Sequence, residues 1–263
     1  GAVTGPNLMQ PAGNLAEHFG LPRLVGPYMI SAFTLAFASI LIFTLLKPDP
    51  YLTALGEGKS YAAGKRHVKE ALSHIWHKPI ALFAIISIAI GHVVMVSVMV
   101  MTPVHMAHVD VSLKIIGLVI SVHVIGMYAF SPIVGSISDR IGRIKTIQAG
   151  LIILLASCIV SGTAAADDVP RLGFGLFLLG LGWSFTLIAG SALLSSTVDP
   201  TLKTSSQGAS DLVMNLAGAG GGAIAGVIIS SLTYGWLCVF AAVPVIALAI
   251  WSGAFRSFES PKI

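Results

Sequence analysis

The sequence predicts an all-α membrane protein, a helical bundle of seven complete transmembrane helices plus a truncated one. Three observations predict it. Apolar residues make up 55% of the 263 positions and charged residues only 10%, against about 25% charged in an average globular chain. Mean hydropathy is +0.89, too high for a surface that meets water. The few charges are bunched between uncharged runs long enough to cross a bilayer, which takes about 20 apolar residues. A lipid bilayer is therefore the first partner to expect. The net charge of +4 is spread over several connecting segments, so nucleic acid is not one.

Taken in order, residues 1–16 are too short for a span. They open on Gly1 with neither Met nor a basic signal-peptide start, and read as the remnant of a helix cut at its beginning. Val25–Leu46 is the first full span, stopped by Lys47-Pro48-Asp49-Pro50. Residues 47–78 form a central polar segment. Within it, Val68, Leu72, Ile75 and Trp76 recur at helical spacing over Tyr61–His77, with Lys65, Arg66, Lys69 and Glu70 elsewhere around the turn. That suits an amphipathic helix along the membrane face; a flexible linker is the competing reading. His67, His74 and His77 read as solvated interfacial side chains.

Residues 79–255 hold six more spans. Pro79–Thr102, Ile115–Ser138, Thr146–Ala166 and Leu172–Val198 are uncharged runs, and Leu212–Phe255 continues without charge for 44 residues, enough for two. The polar stretch Ser230–Gly235 is the natural place to divide it. Residues 256–263 are a charged tail.

Lysine and arginine set the orientation. If the central segment is cytoplasmic, that side holds Lys47, Lys59, Lys65, Arg66, Lys69, Lys78, Arg140, Arg143, Lys145, Lys203, Arg256 and Lys262. The other side holds only Arg23, Lys114 and Arg171, a ratio of twelve to three. The reading is a multi-pass plasma-membrane protein whose central segment and C-terminus are cytoplasmic.

Polar groups deep in a span are costly and usually face the bundle interior. His92, Met95 and Met99 fall on one helical face, and Ile120, His123 and Met127 repeat the spacing one span later. Two such faces opposed would make a polarizable, titratable pocket; plain helix packing is the alternative. Asp211 is the one acid near a span interior, on a stripe with Gln207, Asn215, Gly218 and Gly222. A helix starting near Ser205 puts it about 9 Å inside, which suits a gate, a proton-coupling group or a solvated cap. Gly218, Gly222 and Gly226 form a small-residue ridge for close helix packing. His105 and His108 follow Pro103 and read as wet loop residues, while Trp183, Trp236 and Trp251 read as interface or packing aromatics. Cys158 and Cys238 lie in apolar runs with no metal-ligand spacing. Nothing in the chain reads as a catalytic group, so an enzyme is not expected.

Three of the charges fall within Gly135-Ser-Ile-Ser-Asp139-Arg140-Ile-Gly142-Arg143. Asp139 can accept hydrogen bonds from a helix N-terminus, Arg140 and Arg143 can pair with it or with lipid phosphates, and Gly142 permits a tight turn. The cluster reads as an ionic latch; anchoring by positive charge alone is the competing reading. The nonamer resembles the cytoplasmic signature G-x-x-x-D-R-x-G-R of the major facilitator superfamily, which has twelve helices in two six-helix halves. Gly1-Ala-Val-Thr-Gly5-Pro6 resembles the end of that family's antiporter motif in helix five, although Met9-Gln10 stand where its final glycines belong. The resemblance implies that the chain runs from the end of helix five through helix twelve. It implies that Gly135, Asp139, Arg140, Gly142 and Arg143 form a cytoplasmic gate, and that Gly1, Gly5 and Pro6 belong to an antiport element. A matching N-terminal half is an expected partner. The expected activity is secondary active transport, specifically proton-coupled export of small organic or drug-like compounds, with a proton gradient and no cofactor. Proton-coupled symport of a small metabolite and a non-transporting fragment, scaffold or sensor are the alternatives.

Overall fold

The computed structural model describes residues 5–48, 53 and 65–255. Residues 1–4, residues 49–52 and 54–64 of the central segment, and the tail 256–263 lie outside the described residues. Two compact units are present, residues 1–64 and 65–263. No strand occurs among the described residues, and seven helical segments are long and apolar enough to cross a membrane.

In the first unit a short 3-10 helix, Gly5–Leu8, leads into α1 (Met9–His18), and α2 (Val25–Leu45) is the first long apolar helix. The two helices meet at Gly26, where an added Cβ would run into the carbonyl of Ala12. The crossing exists because glycine has no side chain to place there.

The second unit opens with α3 (Lys65–His77) and continues with α4 (Pro79–Ala107), α5 (Leu113–Tyr128), α6 (Ser131–Ile141), α7 (Arg143–Gly162), α8 (Val169–Thr197), α9 (Lys203–Ser231) and α10 (Tyr234–Ser252). Helices α5 and α6 are one span, Lys114–Ile141, broken near Ala129-Phe130. Pro132 has no N–H to give the carbonyl one turn back, so the ladder is interrupted there. Pro103 does not end α4, contrary to the expectation of a stop at Thr102; the helix runs on to Ala107. Inside a bundle the freed carbonyl need not meet lipid, and such prolines are tolerated.

Helix α8 is the hub, packed on α7, α5, α4 and α6, while α4 lies between α8, α9 and α10. Between helices in lipid there is little hydrophobic drive, so close packing must supply the attraction. The crossing of α5 and α8 shows how: an added Cβ at Gly126 would strike the carbonyl of Phe177, and one at Gly180 the carbonyl of His123. Around these contacts Leu151, Leu154, Leu172, Leu176 and Leu179 are fully buried.

Helix α3 belongs to this unit rather than to a free linker. Ala71 and Ile75 are buried, and the helix packs on α9. Lys78 Nζ donates to the carbonyl of Thr197 at 3.1 Å, capping the last turn of α8. His74 Nε2 lies 3.8 Å from Asp199 Oδ2, so it is not simply a solvated side chain. The remaining apolar residues of this stripe, Leu72 and Trp76, are exposed.

Between α6 and α7 a single residue reverses the chain. Gly142 has φ 96° and ψ 156°, a region essentially closed to side-chain-bearing residues. Gly142→Ala is therefore expected to cost about 1–3 kcal/mol. Gly135→Ala, where a Cβ meets nothing within 4 Å, should be neutral or slightly stabilising. Thermal unfolding of both variants in one detergent checks the contrast.

Candidate functional site

The nonamer spans the end of α6 and the first residue of α7. Asp139 and Arg140 are exposed, Arg143 is half-buried, and Thr146 Oγ1 donates to the carbonyl of Gly142 at 2.7 Å. No ion pair to Asp139 forms among the described residues. The close helix approach expected at Gly135 is not made within this unit, since an added Cβ there has open space around it. Of the helix-five element, Gly1 lies outside the described residues. Gly5 and Pro6 fall in the opening 3-10 turn, and Gly5 likewise has open space where a Cβ would be.

The two mid-span histidines do not face each other. Helices α4 and α5 barely touch, because α8 lies between them, and each histidine is turned onto α8. His123 is fully buried, with Nδ1 2.7 Å from the carbonyl of Leu176. A carbonyl only accepts, so Nδ1 carries the hydrogen and Nε2 is bare; that nitrogen has no partner among the described residues. His92 has the opposite arrangement. It is half-buried, and its Nδ1 accepts from Trp183 Nε1 at 3.0 Å. The indole N–H only donates, so Nδ1 is bare and the hydrogen sits on Nε2. Tyr128, at the end of α5 and itself exposed, meets the Trp183 ring edge-on with centroids 6.0 Å apart.

The methionine faces resolve into packing. Met95 and Met127 are buried core residues and Met99 is packed against that core. The ridge on α9 is also shifted. Gly218 lies against the ring of His92, Gly221 against Val93 and Ser97, and Gly222 against Val96, whereas Gly226 reaches only Met101 Cε at 4.0 Å. Gly221 was missed because a strict four-residue spacing skips it; a helix face also takes the third residue.

Asp211 and Asn215 are exposed on α9, and Asn215 Nδ2 donates to the Asp211 carbonyl at 2.7 Å. Helix α9 starts at Lys203, which puts Asp211 about 12 Å along it, further than the sequence suggested. One turn earlier Gln207 Nε2 donates to Ser191 Oγ on α8 at 3.3 Å.

A second polar group escaped sequence reading. His105 is inside α4, not in a wet loop, and its ring stacks on Tyr234 at 4.5 Å and 10°. The buried Tyr234 hydroxyl lies 2.7 Å from Thr102 Oγ1, tying α4 to α10. Among the described residues no group of three or more metal-ligating side chains is assembled.

Residues 94–262 match the family described as the Major Facilitator Superfamily. The chain belongs to the major facilitator superfamily. It is 36% identical over 258 residues to the MFS-type transporter YddS of Bacillus subtilis (strain 168), covering 95% of this chain and 59% of that protein. The MFS-type transporter YdeG of the same organism is 34% identical over 257 residues, 96% of this chain and 60% of the relative. The riboflavin transporter RfnT of Brucella anthropi is 31% identical over 172 residues, 63% of this chain and 42% of its own length. The chain thus spans about three-fifths of the length of the first two relatives. As a superfamily member it is a multi-pass membrane protein of a transporter family. Its strongest candidate for solute or proton chemistry is the meeting point of α4, α8 and α9, where His92, Trp183 and Gly218 touch.

The two histidines should differ in what they contribute. His123→Ala removes a fully buried ring and its only hydrogen bond and is expected to cost about 2–4 kcal/mol. His92→Ala, at a half-buried position, should cost clearly less. Thermal unfolding in detergent measures both.

Proposed function

We propose that the chain forms part of a proton-driven secondary transporter that exports small organic compounds in exchange for protons. The observation that carries this reading is His92. It is a titratable ring held by Trp183 in the middle of a span whose described interior is otherwise uncharged. Such an interior suits amphipathic or aromatic solutes, because it offers few fixed hydrogen-bonding groups for a sugar or a charged nutrient. In this reading Asp211 and Asn215, exposed on the same helix as Gly218, are further residues of the pathway. The nonamer is the gate at the opposite end of α6 from its broken joint, with Asp139 available to a partner elsewhere in the whole transporter. By the distribution of lysine and arginine, this end faces the cytoplasm of a plasma-membrane protein.

The second reading is proton-coupled symport of a small metabolite. It is favoured by the relative named as a riboflavin transporter. A planar heteroaromatic solute could stack on the exposed Tyr128 beside Trp183.

Flux in proteoliposomes separates the two, with riboflavin and the aromatic cation ethidium as probes under an imposed pH gradient. Export predicts solute movement opposite to the protons and its loss in His92→Ala. Movement with the protons overturns the export reading in favour of symport. Orientation has its own test at the exposed Lys145. A cysteine substituted there should resist a membrane-impermeant maleimide added to intact cells and react after permeabilisation. Labelling from outside inverts the topology.

A further inference from the structure

The imidazole of His92 is held on two sides. Its Nδ1 edge meets the indole N–H of Trp183 at 3.0 Å. Its opposite edge faces α9, where a Cβ on Gly218 would lie 2.9 Å from Nε2. The ring fits only because position 218 is glycine, and it has little room to back away from α8.

This slot is compatible with the neutral ring alone. A proton added to neutral His92 goes to Nδ1, which turns the acceptor into a donor aimed at another donor. Flipping the ring does not help, because both nitrogens of an imidazolium donate. Trp183 is 5% exposed, so its released N–H finds no water while the seam stays shut, and leaving it unpaired is costly.

No charged or titratable group touches the His92 ring among the described residues to offset this. Trp183 faces it from α8 and Gly218 from α9. Asp211 is exposed on α9, about 10 Å along the axis from Gly218. On α5, His123 is turned onto Leu176 and Tyr128 onto Trp183. Tyr234 and Cys238 on α10, with Cys158 on α7, are buried toward the far end of α4 near Thr102. Lys78 and the residues of α3 stand at its foot, about 20 Å away.

We propose that Trp183 is a positioning residue that reads the protonation state of His92: proton uptake at Nδ1 breaks the bond joining α4 to α8 and loosens their seam. Helix α8 is the hub of the unit, so this converts a single proton into a change at one of the hub's own helix contacts. The inference rests on the transporter reading for its place in a cycle, but its physical content can be tested without flux.

The test uses the full chain in lipid nanodiscs with Trp76, Trp236 and Trp251 replaced by Phe, leaving Trp183 as the only indole. Between about pH 8 and 4.5 the emission of Trp183 should shift and its quenching by acrylamide should rise, both reversibly. His92→Gln should abolish both changes, because the amide oxygen accepts from the indole throughout that range; His92→Asn serves if that variant does not fold. A flat response with His92 present, or the same titration in His92→Gln, overturns the proposal. An intact titration without solute flux would uphold this switch and count against the transport reading, so the two failures are distinguishable.

Discussion

The structure depends on lipid as its surrounding solvent, which offers the backbone no hydrogen bonds. Each backbone carbonyl and amide within a span must be satisfied inside its own helix, and neighbouring helices attract only by close contact. Helix α8 meets this condition with glycines that let α5 and α7 approach its backbone. The reciprocal pair Gly126 and Gly180 brings each helix against the other's carbonyl. Residue volume at these crossings, more than apolarity, determines which helices become neighbours.

The same constraint makes the polar side chains informative. A buried imidazole must find a partner of the right sense, and the two mid-span histidines have found opposite ones. His123 donates to a carbonyl within the packed core and thereby fixes α5 on α8. His92 accepts from an indole at a three-helix junction and stays half-exposed. The first arrangement is structural. The second leaves a titratable nitrogen engaged in a contact between two helices, which is the feature the proposed switch uses.

Much of the fold was legible in the sequence, because charge exclusion from lipid is a strong and local signal. The uncharged runs anticipate all seven long apolar helices, including the division of Leu212–Phe255 between Ser231 and Tyr234. Helix ends were less legible: Pro103 reads as a stop, yet inside the bundle α4 continues past it and brings His105 onto Tyr234. The site was legible only in part. His92 announces itself as a polar residue in an oily run, but its partner does not. Trp183 looks like any packing aromatic until α4, α8 and α9 are set side by side, since no periodicity within one helix encodes a bond between three. The pairing of the two methionine faces failed for the same reason, as α8 stands between them.

The break at Ala129-Phe130 turns one membrane crossing into a jointed strut. Above the joint, α5 is clamped to α8 by interlocking glycines; below it, α6 bears on α8 and α7 and ends in the Gly142 reversal. With the ladder interrupted at Pro132, the two arms are not joined by a continuous run of helical hydrogen bonds. The charged reversal and the surroundings of His123 thereby lie on separate rigid pieces, although both belong to a single crossing of the membrane.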